Sequence, residues 1–131
     1  MSIANDSRYV TLGDGDPSRP RAFEVQDIVS DGRHRLLLSG ELDLAPAAEL
    51  EEMLLRLCAD ATKEITLDLS KLRFMGSTGI RLVLLAKELC EQNDCEFLLA
   101  SGPPNIQRMF EMTGLLDVLP FREKDSSATA P

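Results

Sequence analysis

The chain has 131 residues, a formal net charge of -8 at pH 7, 44% apolar residues and 27% charged residues. This suits one soluble globular domain with a core of its own. The negative charge weighs against nucleic acid or an anionic membrane as the main partner.

The chain carries no basic region followed by an apolar run, so no signal peptide is expected, and no apolar run of roughly 18 residues that would cross a membrane. Cys58, Cys90 and Cys95 are odd in number and lack metal-site spacing. They read as buried, reduced thiols of a cytoplasmic protein, so neither metal nor cofactor is expected.

Residues 1–21 contain Asp14, Gly15, Asp16, Pro17, Ser18, Arg19 and Pro20, a poor core, and read as a flexible N-terminal arm. Tyr9-Val10-Thr11-Leu12 within it is a candidate short strand. The compact domain is expected over 22–121, with 122–131 as a polar C-terminal tail. Phe23, Val25 and Ile28-Val29 suggest the first strand of the domain. Asp31-Gly32 is a hairpin turn, and His34 to Leu38 is the partner strand. Gly40-Glu41-Leu42-Asp43 reads as the end of that strand. From Pro46 onward Leu50, Met53, Leu54, Leu57, Cys58 and Ala61 recur on one face of a helix, with Pro46 acceptable in its first turn. Ile65 to Leu69 reads as a central strand, Thr78 to Gln92 as a second helix, and Cys95 to Ala100 as another strand. Pro103 and Pro104 open a third helix with Ile106, Met109 and Phe110, and Gly114 stops it. Val118 to Phe121 is a candidate last strand. A hairpin followed by alternating helices and strands implies an α/β fold with a mostly parallel sheet.

The second helix has two distinct faces. Arg81, Glu88 and Gln92 share an outward face, while Leu82, Val83, Ala86, Leu89 and Cys90 point toward the sheet. Leu84 and Leu85 flank the polar face. They form either an apolar docking patch or a surface covered by the terminal arm or the third helix.

Phe74-Met75-Gly76-Ser77-Thr78-Gly79-Ile80 is the most informative stretch. It places two hydroxyls where a strand gives way to a helix. Helix starts carry free N–H groups and partial positive charge, which suit an anion. Ser77 is therefore either a helix cap or a modified site, and Thr78 reads as a capping or packing residue. Asp43 reads as a helix cap or a partner contact. Asp68 reads as structural, and the only histidine, His34, as a strand-surface residue. Ser77 has no histidine partner suggested by the sequence, and the glycine turn lacks the lysine and second glycine of a phosphate loop, so no catalytic residue is assigned.

Leu38-Ser39-Gly40-Glu41-Leu42-Asp43, Leu67-Asp68-Leu69-Ser70, Phe74-Met75-Gly76-Ser77-Thr78-Gly79 and Met112-Thr113-Gly114-Leu115 together resemble the STAS domain, above all the stand-alone bacterial anti-sigma factor antagonists. The resemblance implies a mixed, mostly parallel sheet of four to five strands flanked by helices. It also implies a transcription regulator that binds an anti-sigma factor of the serine kinase type and frees the sigma factor. The kinase phosphorylates a serine at the start of the second helix, and a serine phosphatase reverses this. The matching serine is Ser77, and the family's aspartate after the first long strand matches Asp43. Partner-binding is expected at Asp43, Gly76, Ser77, Thr78, Arg81, Leu84 and Leu85. One departure stands out: the family usually has an aspartate immediately before the phosphorylated serine, and this chain has Gly76. That leaves open a STAS scaffold or transporter-associated module that binds without being phosphorylated. A hydrolase using Ser77 is the competing enzymatic reading.

Overall fold

The computed structural model describes residues 6–11 and 23–122. Asp31 and Gly32 take φ angles of 53° and 77°, the paired left-handed conformation of a tight hairpin turn. That turn joins β2 (Phe23–Ser30) to β3 (Arg33–Leu42), with Val25 opposite Leu38 and Val29 opposite His34. β1 (Asp6–Thr11) pairs antiparallel on the outer side of β2. The expectation of a flexible arm over 1–21 therefore gives way at Asp6–Thr11, where the chain finds open backbone groups along β2. Leu12 and the rest of that arm lie outside the described residues.

α1 (Leu44–Ala59) carries the chain across to β4 (Glu64–Met75), which lies parallel to β3 with Leu36 beside Leu67 and Leu42 beside Met75. α2 (Ser77–Gln92) leads to β5 (Glu96–Ala100), and α3 (Pro104–Met112) leads to β6 (Phe121–Arg122). The last two strand pairings are also parallel, and the sheet runs in sequence order from β1 to β6. The fold is thus α/β with a mixed, mostly parallel sheet. Among the described residues the sheet has six strands, β1 being one beyond the four to five expected.

Four boundaries differ from the sequence reading for local reasons. α1 ends at Ala59, and Ala61, expected on its apolar face, lies past the Asp60 cap with a left-handed φ of 59°. β3 runs on through Gly40 to Leu42, because Gly40 takes a φ of 96° and register shifts near it absorb the irregularity. β4 runs on past Leu69 to Met75 alongside it. Val118 belongs to a turn, and only Phe121–Arg122 pairs with β5; residues 123–131 of the expected tail lie outside the described residues.

The register puts Val25, Leu36, Leu38, Ile65, Leu67, Phe97 and Leu99 on one face. They join Leu50, Leu54, Val83, Ala86, Ile106 and Phe110 of the helices in a single core. Phe110 of α3 meets Phe121 edge-on, with centroids 5.1 Å apart, so α3 packs on this face as well. Asp68 points the other way, beside Leu37 in register. Its buried carboxylate accepts hydrogen bonds from the Arg35 guanidinium and, at 3.0 Å, from the Ser70 N–H. Burial pushes its pKa up, but the Ser70 and Arg35 hydrogen bonds outweigh that and hold it below the usual carboxylate value. Asp68 is structural, as expected. His34 differs: its ring is largely buried, with Nδ1 2.9 Å from the Asp27 carboxylate. The hairpin sets Asp27 and His34 on neighbouring rungs of the helix-covered face, so His34 is not a strand-surface residue.

Candidate functional site at the start of the second helix

Because Leu42 and Met75 are neighbours across parallel strands, β3 and β4 end side by side and both chains turn there into helices. Asp43 caps α1, with its carboxylate accepting from the Leu44 N–H at 2.8 Å. Gly76 occupies the corresponding cap of α2 and offers no side-chain bond. Ser77 is therefore the first residue inside α2, not its cap. It is exposed, and the Gly76 carbonyl bonds to the N–H groups of Gly79 and Ile80, beyond it in the first turn.

A close approach fixes the orientation of that turn. A Cβ on Gly79 would lie 2.1 Å from Met75 Cγ and 3.3 Å from Leu42 Cδ2. Only glycine lets the helix start rest directly on the last buried residues of β3 and β4. Gly76 has no such demand. Its φ of -98° and ψ of -163° are ordinary extended backbone, and a Cβ there would meet only the Phe74 ring, at 3.5 Å or more.

Beside these helix starts, α1 and α2 enclose a groove of about 480 Å³. Thr78, Arg81, Leu84 and Leu85 line one wall, so four of the seven expected partner-binding residues share it. Asp43, Gly76 and Ser77 stand at the helix starts beside it. Leu84 is exposed, Leu85 is half-buried, and Leu82, expected to face the sheet, is buried and forms part of the groove floor. Neither leucine is sealed off by α3. Sequence reasoning missed Leu44, 70% exposed on the opposite wall, and Phe74, 49% exposed beside Gly76. Leu44 precedes the apolar period of α1, and an apolar residue out of phase with its helix was the available signal. Phe74 lies beyond the expected end of β4 at Leu69, so no strand alternation was read there; in the extended strand it points away from the face that buries Leu67, Leu69 and Met75.

A hydrolase built on Ser77 could not draw its base from His34, the chain's one histidine. His34 lies level with Ile65 near the beginning of β4, whereas Ser77 follows the strand's far end. Leu42 lies beside Met75, so the eight residues from His34 to Leu42 measure the gap along β3 at roughly 26 Å for about 3.3 Å per residue, and His34 cannot serve Ser77 as a base.

The sheet order, the crossovers and the paired helix starts define a known domain class. The STAS domain profile matches residues 27–128, and the chain belongs to that family. It is 32% identical over 101 residues to the anti-sigma-B factor antagonist of Staphylococcus aureus (strain NCTC 8325 / PS 47), covering 77% of this chain and 94% of that protein. The crystal structure of an anti-sigma factor antagonist from Mycobacterium paratuberculosis superposes with a TM-score of 0.72 at 26% identity, over 86% of this chain and 96% of that one. The Bacillus cell fate determinant SpoIIAA in its phosphorylated form shares the fold, with a TM-score of 0.63 at 21% identity over 82% of this chain and 96% of that one. Among the described residues no helix is long and apolar enough to cross a membrane.

Proposed function

We propose that this chain is a cytoplasmic anti-sigma factor antagonist that docks an anti-sigma factor of the serine kinase type on the α1–α2 groove and so frees a sigma factor. Phosphorylation of Ser77 by that kinase ends the interaction, and a serine phosphatase restores it. The observation that carries this reading is an exposed Ser77 in the first turn of α2, beside a groove walled by Leu44, Leu84 and Leu85. These leucines stand beside Arg81, Glu51 and Glu88, and that mixture of apolar and charged side chains favours a protein surface over a small polar ligand. A phosphate on Ser77 adds about -1.5 to -2 charges. The start of α2 tolerates that charge, so the domain stays folded. A partner packed against the leucines would have to strip water from the phosphate, so docking is opposed.

The test is binding of purified anti-sigma kinases to wild type, Ser77→Ala and enzymatically phosphorylated protein, with circular dichroism to confirm folding. Ser77→Ala should bind as wild type does, and phosphorylation should weaken binding at least tenfold. Equal affinity of the phosphorylated and unmodified proteins would sink the switch. Gly76, in place of the family's aspartate, favours the second reading of a STAS scaffold or transporter-associated module that binds without modification. Stable binding with no phosphate uptake from ATP at Ser77 would select it.

A further inference from the structure

At the far end of the two helices from Ser77, three thiols converge. Asp94 takes a φ of 56°, and the N–H groups of Asn93 and Cys95 both return to the Cys90 carbonyl, at 3.1 and 2.9 Å. This closure folds the residue after the left-handed turn back over the last helical turn, so Cys95 packs against Cys90. α1 brings Cys58 to the same place. The Cys90 side chain neighbours those of both Cys58 and Cys95, the Cys95 thiol donates to the Glu96 carbonyl at 3.7 Å, and the Glu64 carboxylate of β4 acts on Cys95 from the sheet side and favours its protonated form. All three are free and buried, Cys90 completely and the other two at 7% exposure. Burial, first among the causes at each, pushes all three thiols up from their ordinary pKa. The cluster is therefore held as protonated thiols at neutral pH, slow to react until a fluctuation opens it.

We propose that this cluster is a redox site in which Cys90 is the common partner, oxidised by a low-molecular-weight disulfide to one intramolecular bond while the third thiol stays free. In the first step the sulfur of Cys58 or Cys95 attacks the small disulfide. A mixed disulfide forms, and one small thiol leaves. In the second step Cys90 attacks the protein sulfur of that mixed disulfide, and the second small thiol leaves. Two protein S–H bonds break and one S–S bond forms. The two electrons pass to the small disulfide, and the two protons end on its thiol products. A Cys58–Cys90 bond would tie α1 to α2. A Cys90–Cys95 bond would staple α2 to the approach to β5. The remaining thiol can exchange one bond for the other.

The test treats the folded full chain with hydroxyethyl disulfide, blocks free thiols under denaturing conditions, and maps linkages by peptide mass spectrometry. Free thiols should fall from three to one, with Cys90 in every intramolecular bond and faster reaction at alkaline pH. Cys58→Ala and Cys95→Ala should each still form one bond, and Cys90→Ala should form none. The wild-type map stands even if Cys90→Ala folds poorly. The proposal is overturned by a Cys58–Cys95 linkage as the main product. It is also overturned if three free thiols survive conditions that oxidise the urea-unfolded chain.

Discussion

Replacing Gly76 with aspartate should stabilise the domain, even though it fills a glycine position at a tight strand-to-helix turn. Gly76 is the cap of α2, in extended conformation, and its Cβ position is open except for ordinary contact with the Phe74 ring at 3.5 Å. No left-handed φ has to be accommodated. Aspartate supplies the missing acceptor for the first-turn N–H groups, a gain of a few tenths of a kcal/mol over glycine. Its charge at the positive end of the helix adds about 0.3–1 kcal/mol, and the loss of glycine's freedom in the unfolded chain adds about 0.4–1 kcal/mol. These gains overlap, so a total of about 1 kcal/mol is expected, or a rise in melting temperature of roughly 4–8 °C for a domain near 100 residues. Differential scanning calorimetry at pH 7 and low salt reads it directly. Gly76→Asn separates the contributions, because it keeps the cap and loses the charge. Gly79→Ala is the contrast, since its Cβ falls 2.1 Å from Met75 Cγ in the core; overpacking there should cost about 1–3 kcal/mol. A fall in melting temperature for Gly76→Asp would refute the reasoning, because it would mean that the start of α2 needs a glycine for shape. If the kinase reading also holds, the same variant should take up phosphate at Ser77 faster than wild type, with Ser77→Ala as the blank.

Leu84→Asp should weaken partner binding at least tenfold while changing stability by no more than about 0.5 kcal/mol, as befits an exposed side chain. Val83→Asp puts a charge at a fully buried site and should cost on the order of 4 kcal/mol or more; matching chemical denaturation curves for the two would remove the docking wall. The folded-state pKa of Asp68 is lowered, so its contribution is present above its unfolded value of about 4 and is lost as pH falls through the folded one. Urea denaturation from pH 7 down to pH 2 should show Asp68→Ala costing about 1–3 kcal/mol at neutral pH and progressively less in acid. Deleting residues 1–22 removes β1 and leaves β2 as a bare edge, so the truncated chain should melt earlier and self-associate by light scattering. An unchanged melting curve would instead restore the picture of a dispensable arm over 1–21 around a self-sufficient 22–121 domain.

The elements with a clear period were legible in the sequence. The apolar face of α1 from Leu50 to Cys58, the Asp31-Gly32 turn and the helix after Gly76 all lie where local chemistry puts them. The strand ends were not legible, because Gly40 and the residues after Leu69 have no strand-like alternation of their own. They stay extended because β3 and β4 hold each other in register. The same long-range pairing hid the environment of His34, whose burial depends on Asp27 across the hairpin. Ser77, Leu84, Leu85 and the Asp43 cap were found from residue type and spacing, whereas Leu44 was missed and the cap of α2, expected at Ser77, lies at Gly76. The juxtaposition of two helix starts, and that of three cysteines spread over 58–95, required the sheet order.

Gly79 seals the boundary between what this domain is built from and what it presents. Below it, Leu42 and Met75 belong to the core; above it stand Leu44, Phe74, Ser77, Arg81 and Leu84, mostly exposed and bonded little to one another. Substitutions on the upper side change what the surface attracts without disturbing the packing that keeps the domain folded. A lineage carrying several copies of such a domain can therefore let their rims diverge independently, so that each copy answers to its own signal while all retain one architecture.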